Sequence, residues 1–535
     1  MVPGLELADR GLRRVPHPPR LDLSLCGGSV PRLDPRGASP VAPPRCPVRA
    51  LNGYSRANDR WPLRHGGDRA ARVAREWLRS GPARRYPAHD PAQDPVEDSV
   101  DLRNLPWSSI DNEDSRDLDQ IEFAEQLAGG AIRLKIGIAD VDAFAPKGSP
   151  VDRYAGTNTC TLYTGVHIFP MLPEVLSTDR TSLLDERDRL AVVTEFVVLA
   201  DGSLDDKQTK IYPAHVRNHA KLVYERVGGW LEGHGDPPQD QVIATQVKLH
   251  DEAAQRLRVR RHELGALDFE TIEARPVTKD GQVVDLVVQH KNRARELVED
   301  LMIAANGATA RYLEQHGFSS IRRIVRKPKR WDRIIELAGT FGFKLPAEPT
   351  ATALSEFLTE RRKADPEKFQ DLSLSVVKLI GPGEYALQRA TEPDTGHFGL
   401  AVDDYAHSTA PNRRYPDLIT QRLLKAAAAG AKQPYTDDEL TAVAQHCTDR
   451  ENGARKVERT MRKVAAALLL NNRIGEEFDA IITGASPKGV FARLRTLPAE
   501  GRVVSHEQGL DVGDKVRVRL VDTEPNRGFI DFARI

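Results

Sequence analysis

"SSIDNEDSRDLDQIEFAEQL", residues Ser108–Leu127, sets seven acidic side chains into twenty residues. Like charges this close repel, so the fold must answer them with a cation, basic partners or open solvent. Asp111, Asp117 and Asp119 follow the spacing D-x-x-x-x-x-D-x-D, and the next place holds the neutral Gln120. Residues two apart on an extended chain point the same way, so Asp117 and Asp119 can share a site. The loop between Asp111 and Asp117 lets Asp111 return to it. Carboxylates gathered like this suit Mg²⁺, which takes oxygen ligands and keeps waters and substrate phosphates. Paired ions of this kind promote phosphodiester hydrolysis. On spacing alone, a solvated acidic loop competes with that reading.

The chain around this run alternates cleanly. Ile132, Leu134, Ile136 and Ile138 interleave with Arg133 and Lys135 after a Gly129-Gly130 turn, which predicts a hairpin with one buried face. "RLAVVTEFVVLADGSL" predicts a further strand ending at Asp201-Gly202. Helical periodicity follows in "ELVEDLMIAANGATARYLEQHG", stopped at Gly317, and in "YPDLITQRLLKAAAAG", which opens on a proline turn and ends at Gly430. "CTDRENGARKVERTMRKVAAALLLNNRIG" predicts a long, charge-laced helix. The end of the chain returns to short strands at Phe478–Gly484, Val490–Leu494, Arg502–Ser505, Lys515–Val521 and Phe529–Phe532. Five short strands so spaced suggest a small OB-type barrel, a common oligonucleotide binder. The class expected is α+β.

The 535 residues suffice for several domains, and 77 basic against 77 acidic side chains leave net charge uninformative about partners. The four cysteines are scattered without a C-x-x-C pair, which argues against a zinc site or disulfide framework and fits a reducing cytoplasm. No apolar run is long enough to span a bilayer, and the N-terminus lacks the apolar core of a secretory signal. Residues 1–66 are rich in arginine and proline, contain no lysine and show neither period. They read as a disordered, inert extension rather than a basic RNA arm or a targeting peptide. Residues 67–94 read as a short helical segment, with an amphipathic stretch at Asp68–Gly81.

A second chemical feature is "DDYAHSTAPNRRYPDL", Asp403–Leu418, which puts Arg413 and Arg414 just before a helix. Guanidinium forks clamp phosphate, and a helix start favours anions; a surface salt bridge is the ordinary alternative. These two motifs, with "IADVDAFAPKGSPVDR", "IFPMLPEVLSTDRTSLLDERDRLAV", "ALDFE" and "ELVEDLMIAAN" between them in order, resemble the RNB catalytic domain of the ribonuclease II / ribonuclease R superfamily. "GEEFDAIITGASPKGVFARL" is similar to the S-one-type OB domain that ends these enzymes.

The resemblance implies an RNB catalytic domain of mixed sheets wrapped by helices around an RNA channel at residues 95–430. It implies a helical connection at 431–473 and an OB barrel at 474–535. It implies a Mg²⁺-dependent 3′→5′ exoribonuclease of RNA turnover, with Mn²⁺ a substitute, that releases 5′-mononucleotides from single-stranded RNA or from structured RNA with a 3′ overhang. A monomeric cytoplasmic protein is expected, and a catalytically weak RNA-binding regulator is the alternative. Asp111, Asp117 and Asp119 match three of the family's four metal-binding aspartates, and Gln120 takes the fourth position as an uncharged oxygen ligand. Asp119 aligns with the essential aspartate and Arg413 with the arginine at the scissile phosphate. Glu458 stands where a glutamate packs on the terminal nucleotide, and Tyr163 where an aromatic ring stacks on a base. Arg414 and Phe491 are further RNA contacts; Val504 takes a position often held by histidine in such barrels. His407 reads as a structural hydrogen-bonding residue. The basic run Arg322–Arg330 reads equally as a phosphate contact or a solvated loop. The two cold-shock domains familiar members place first are not expected here.

Overall fold

A computed structural model describes residues 99–535, apart from 166, 271–272, 280–281, 290, 394 and 487–488. The extension expected at 1–66 and the helical segment at 67–94 lie outside the described residues.

The central sheet is built from β1 (Val100–Asp101), β2 (Trp107–Asp111), β3 (Gln120–Gln126), β4 (Ile132–Ala139), β7 (Asp188–Val198) and β8 (Lys210–Val223), in the order β1-β8-β2-β3-β4-β7. The short pair β5 (Leu162–Tyr163) and β6 (Ile168–Phe169) stands apart from it. β3 and β4 form the expected hairpin, in unbroken register from Gln120↔Ile138 to Gln126↔Ile132. Gly129 and Gly130 turn it with φ of 75° and 82°, a region glycine enters without steric cost. β8 serves three neighbours, pairing with the short β1 at Ala214–His215, through Lys210–Arg217 with β7 and through Asn218–Val223 with β2. The strand pairings therefore run in a ring, a consequence of one long strand that no local pattern announces.

Each sheet face is covered by helices. Ile132, Leu134, Ile136 and Ile138 are buried as their alternation predicts. They pack, with Phe196, against α3 (Gln241–Glu263) and α4 (Arg293–Gln315), which follow α1 (Pro150–Asn158) and α2 (Tyr224–Leu231). On the other face, Trp107, Leu118 and Ile121 pack with residues of α8 (Tyr415–Ala428) and α9 (Asp437–Leu470). Gly137 lets Ile121 approach so closely that an added Cβ would stand 2.9 Å from its Cγ1. A satellite cluster around Phe357 and Phe369 joins α5 (Trp331–Thr340), α6 (Ala351–Ala364) and α7 (Pro366–Ile380). α9 starts ten residues before the predicted stretch, because Thr436 and Glu439 form a reciprocal capping box ahead of it.

The hairpin β9 (Glu273–Lys279)–β10 (Gln282–Gln289) and the pair β11 (Ser320–Ile324)–β12 (Glu384–Gln388) complete this part. β11 revises the reading of the basic run. Arg322 and Arg323 are buried strand residues, Arg323 is 2.7 Å from Glu451 and its guanidinium lies 4.7 Å over the Tyr385 ring. Arg326, Lys327, Lys329 and Arg330 are exposed, so the expected loop covers only the second half of the run. β13 (Glu477–Ser486), β14 (Gly489–Leu494), β15 (Glu500–Ser505), β16 (Lys515–Glu524) and β17 (Phe529–Arg534) close into a five-stranded barrel of OB type. Ala465, Ala466, Ala467 and Leu470 at the end of α9 enter the barrel's core cluster. The fold is thus α+β with a C-terminal barrel. No helix among the described residues is long and apolar enough to cross a membrane.

Candidate active site

The acidic run forms a pinned loop between β2 and β3. Ser182 ties it down, its Oγ accepting from the Leu118 N–H at 2.9 Å and donating to the Arg116 carbonyl at 2.7 Å. From the other side the Lys221 ammonium donates to the carbonyls of Glu113 (2.9 Å) and Ser115 (2.6 Å). Glu113 and Asp114 project outward and pair with Arg226 and Arg275. The loop leaves Asp119 buried, Asp111 and Asp117 half-buried, and Gln120 half-buried at the start of β3.

Asp119 meets the start of α8. Its Oδ1 accepts the Asn412 backbone N–H at 2.9 Å, and its Oδ2 lies 3.4 Å from Arg413 Nε. Burial pushes its carboxyl up to about 7, against the pull of Arg413 and with a further push from Asp117. Burial also raises Asp117, which accepts a hydrogen bond from the Tyr163 hydroxyl at 3.2 Å. The backbone N–H of Tyr163 donates to Glu458 Oε1 at 3.1 Å, joining α9 to the group. Backbone bonds from Thr161 N–H to the Arg413 carbonyl (3.0 Å) and from Tyr415 N–H to the Thr159 carbonyl (2.8 Å) hold the Tyr163 segment against the α8 start. Asp117, Asp119, Arg413, Tyr163 and Glu458, drawn from four distant parts of the sequence, thus come together.

The other expected residues sit in different surroundings. Arg414 faces inward; its guanidinium donates to Asp417 Oδ1 at 2.6 Å, and Asp417 is wholly buried. Asp417 also accepts the Ala410 N–H at 2.8 Å, so this pair fixes the loop that presents Asn412 and Arg413 and engages one edge of the Arg414 guanidinium. Phe491 belongs to another surface, half-buried on β14 opposite Gly484 and Arg502. Val504 is exposed on β15. His407 lies in a ring cluster, its Nδ1 2.9 Å from the Tyr385 hydroxyl; burial, then the charges of Arg414, Arg323 and Arg413, hold it neutral.

The metal set is not a finished cage. Among the described residues no group of three or more His, Cys, Asp or Glu stands ready to hold an ion. Asp111 accepts from the Asn112 N–H (2.7 Å) and Ser115 hydroxyl (2.8 Å), Asp117 from Tyr163 and Asp119 from Asn412, which leaves each carboxylate with acceptor capacity to spare. The donor chemistry still fits a hard divalent cation, being all oxygen: three carboxylates, the Gln120 amide and a further acid that sequence reading passed over. That acid is Glu122, 1% exposed, with neither carboxylate oxygen hydrogen-bonded. Burial, with the nearby charge of Asp111, pushes it up to about 8. Asn412 and Asp417 were also passed over. The D-after-R-R spacing of "RRYPD" is the signal that could have indicated Asp417, whereas Asn412 acts through its backbone and leaves none.

Comparison with known proteins places the chain in a family. The RNB domain profile matches residues 99–430, and that of the RNase II-type exonuclease C-terminal S1 domain matches residues 476–535. Ribonuclease R of Escherichia coli strain K12 is 31% identical over 480 residues, covering 82% of this chain and 57% of that protein. Ribonuclease R 1 of Lactococcus lactis is 29% identical over 467 residues, covering 81% and 56%. The chain therefore spans little more than half the length of these relatives. Among solved structures, the apo form of Mycoplasma genitalium RNase R superposes with a TM-score of 0.73 at 23% identity, over 82% of this chain and 72% of that one. The yeast pseudonuclease Ssd1 does so with 0.66 at 16% identity, over 86% and 58%. At these identities the structures speak for a common fold, and the profile match over residues 99–430 carries the assignment: the chain belongs to the RNB-domain family.

Proposed function

We propose that this protein is a divalent-metal-dependent, hydrolytic 3′→5′ exoribonuclease. It consumes single-stranded RNA, and structured RNA offering a 3′ overhang, as a monomer in cytoplasmic RNA turnover. The observation that carries the reading is the meeting of buried Asp119 with Arg413, beside Asp117 and Tyr163. In the reaction a water oxygen joins the last phosphorus and the bond from phosphorus to the preceding O3′ breaks. The released nucleotide keeps its 5′-phosphate, and the shortened strand ends in a 3′-hydroxyl.

The chain's own groups divide this work. Arg413, 43% exposed, is free enough to face a phosphate while Asp119 orients it, and it stabilises charge developing on the phosphoryl oxygens. Tyr163, 38% exposed, offers a ring for a base, and stacking tolerates any sequence. Its backbone bond to Glu458 and hydroxyl bond to Asp117 lock that ring beside the carboxylates. Asp111, Asp117, Asp119 and Gln120 are the residues that would hold Mg²⁺ or Mn²⁺, which supplies an activated water and a counter-charge for the phosphate.

RNA labelled at its 3′-terminal nucleotide tests the proposal. With Mg²⁺ or Mn²⁺, wild type releases the label as 5′-mononucleotide; Asp119→Asn binds the RNA and does not. Equal cleavage of matched DNA would refute RNA selectivity, since the 2′-OH distinguishes the two. A second reading, a catalytically weak RNA-binding protein, draws on the neutral Gln120. A pseudonuclease of the same fold exists in yeast. RNA binding without mononucleotide release under either metal would favour it.

A further inference from the structure

Resting on the reading that Asp111, Asp117 and Asp119 serve a divalent cation, we propose that Glu122 supplies the carboxylate that Gln120 withholds. Gln120 and Glu122 stand two apart on β3 and so share a sheet face. The acid has therefore moved two places along the strand instead of being lost.

Three observations support this. First, Glu122 occupies a core position, registered between Ser108 on β2 and Ile136 on β4. Its neighbours in sequence, Ile121 and Phe123, follow ordinary strand composition, and an apolar residue would fill the site without penalty. A charge taken out of water without partners is costly, so this acid ionises only when a compensating cation reaches it. Second, both of its oxygens are buried and unpartnered among the described residues, and so is the hydroxyl of Ser108 directly across the pair. A polar pocket has thus been built and left unsatisfied, which native structures rarely do without an ion, a water or a function. Third, Glu122 lies on the strand that leads straight out of the acidic loop, three residues after Asp119. Among the described residues no arginine or lysine bonds to Glu122. A buried acid on the Gln120 face of β3, with no partner among the described residues, is placed to add a carboxylate to a cation held there.

The test is Mn²⁺ binding to the full chain, followed by calorimetry and by the electron paramagnetic resonance signal of free Mn²⁺, in wild type, Glu122→Gln, Gln120→Asp and the double variant. Glu122→Gln weakens Mn²⁺ binding by about 10- to 100-fold, the range seen when groups that support a metal site are removed. Adding Gln120→Asp to that variant restores it. A merely structural Glu122 would shift the melting temperature and leave Mn²⁺ affinity where it was, and that result overturns the proposal. If Glu122→Gln does not fold, Gln120→Asp alone decides. With Glu122 already supplying the charge it leaves Mn²⁺ affinity nearly unchanged, whereas a gain of about tenfold or more would show that the missing charge had never been replaced. Wild type that binds no Mn²⁺ overturns both this inference and the metal-dependent function. Wild type that binds Mn²⁺ and degrades RNA, with Glu122→Gln binding it equally, overturns this inference alone.

Discussion

The carboxylate end of the central sheet and the C-terminal barrel both carry many acids and arginines, but they hold them in opposite ways. At the sheet end the acids are inside: Asp119 is 3% exposed, Asp417 wholly buried and Glu122 1% exposed. On the barrel, Glu477 pairs with Arg517 and Arg519, and all three side chains are more than a third exposed. Water screens the barrel charges, so removing one costs little. It cannot screen the sheet-end charges, so each must be matched by a partner or serve a purpose. Where charge is buried, rather than where it is abundant, separates chemistry from solvation here.

The largest effect expected from this contrast is on turnover. Arg413→Ala lowers RNA hydrolysis by roughly 10³-fold or more, as for other arginines that stabilise phosphoryl transfer. Asp119→Asn, which keeps shape and removes charge, abolishes measurable release while RNA binding persists. Single-turnover assays beside filter binding separate the two quantities. An Arg413→Ala enzyme cleaving at wild-type rate would place this arginine with the surface pairs of the barrel.

Burial alone does not mark function, and His250 provides the control. It lies on α3 under the same sheet face as Glu122, 0% exposed, with both ring nitrogens unpartnered. Unlike Glu122 it has no charged neighbour acting on it; burial alone lowers its pKa from 6.5 to about 3. The folded state therefore takes up its proton later than the unfolded chain does. Stability is untouched above pH 6.5 and falls as pH drops from 6.5 toward 3, by on the order of 5 kcal/mol in total. His250→Leu moves the acid-unfolding midpoint to lower pH, followed by circular dichroism, and leaves Mn²⁺ affinity alone. A changed metal affinity would break the distinction between the two buried groups.

Much of this arrangement could be read in the sequence, where local pattern decides structure. The β3–β4 hairpin announces itself by alternation and a glycine pair, α4 and α8 by period and stop signals, and the barrel by five evenly spaced strands. Asp117, Asp119, Arg413, Tyr163 and Glu458 could be chosen because each sits in a block resembling the family. What could not be read depends on contacts between distant segments. Arg413 and Arg414 are adjacent and chemically identical, yet Asp417 turns one inward and Asp119 meets the other. Arg322 and Arg323 look like part of a basic loop until β12 and Glu451 make them a buried strand. Glu122 was one acid among seven, and only the register against Ser108 and the depth of the sheet set it apart.

A smaller effect is expected at Tyr163. The ring does not pack into a core, and its hydroxyl and backbone hold it beside the carboxylates, so its loss should be felt by RNA more than by the fold. Tyr163→Ala weakens RNA binding by about 1–3 kcal/mol, the value of one stacked base. Tyr163→Phe keeps the ring, frees Asp117 of its hydroxyl partner and leaves binding nearly intact. Fluorescence anisotropy with a short oligonucleotide distinguishes them; equal losses in both variants would assign the contribution to the hydroxyl.

The smallest effect belongs to the barrel. Arg517 and Arg519 hold Glu477 below its usual carboxylate range, the Arg519 hydrogen bond contributing most, yet the acid is open to solvent and both guanidiniums remain hydrated when it is removed. Glu477→Gln therefore leaves the melting temperature unchanged within error at physiological salt. It should, if anything, tighten RNA binding slightly, by freeing two guanidiniums on the barrel surface for phosphates, an effect that vanishes as salt rises. A clear fall in melting temperature would mean that this pair is worth far more than its exposure allows. The contrast between the two ends of the molecule would then rest on geometry rather than on water.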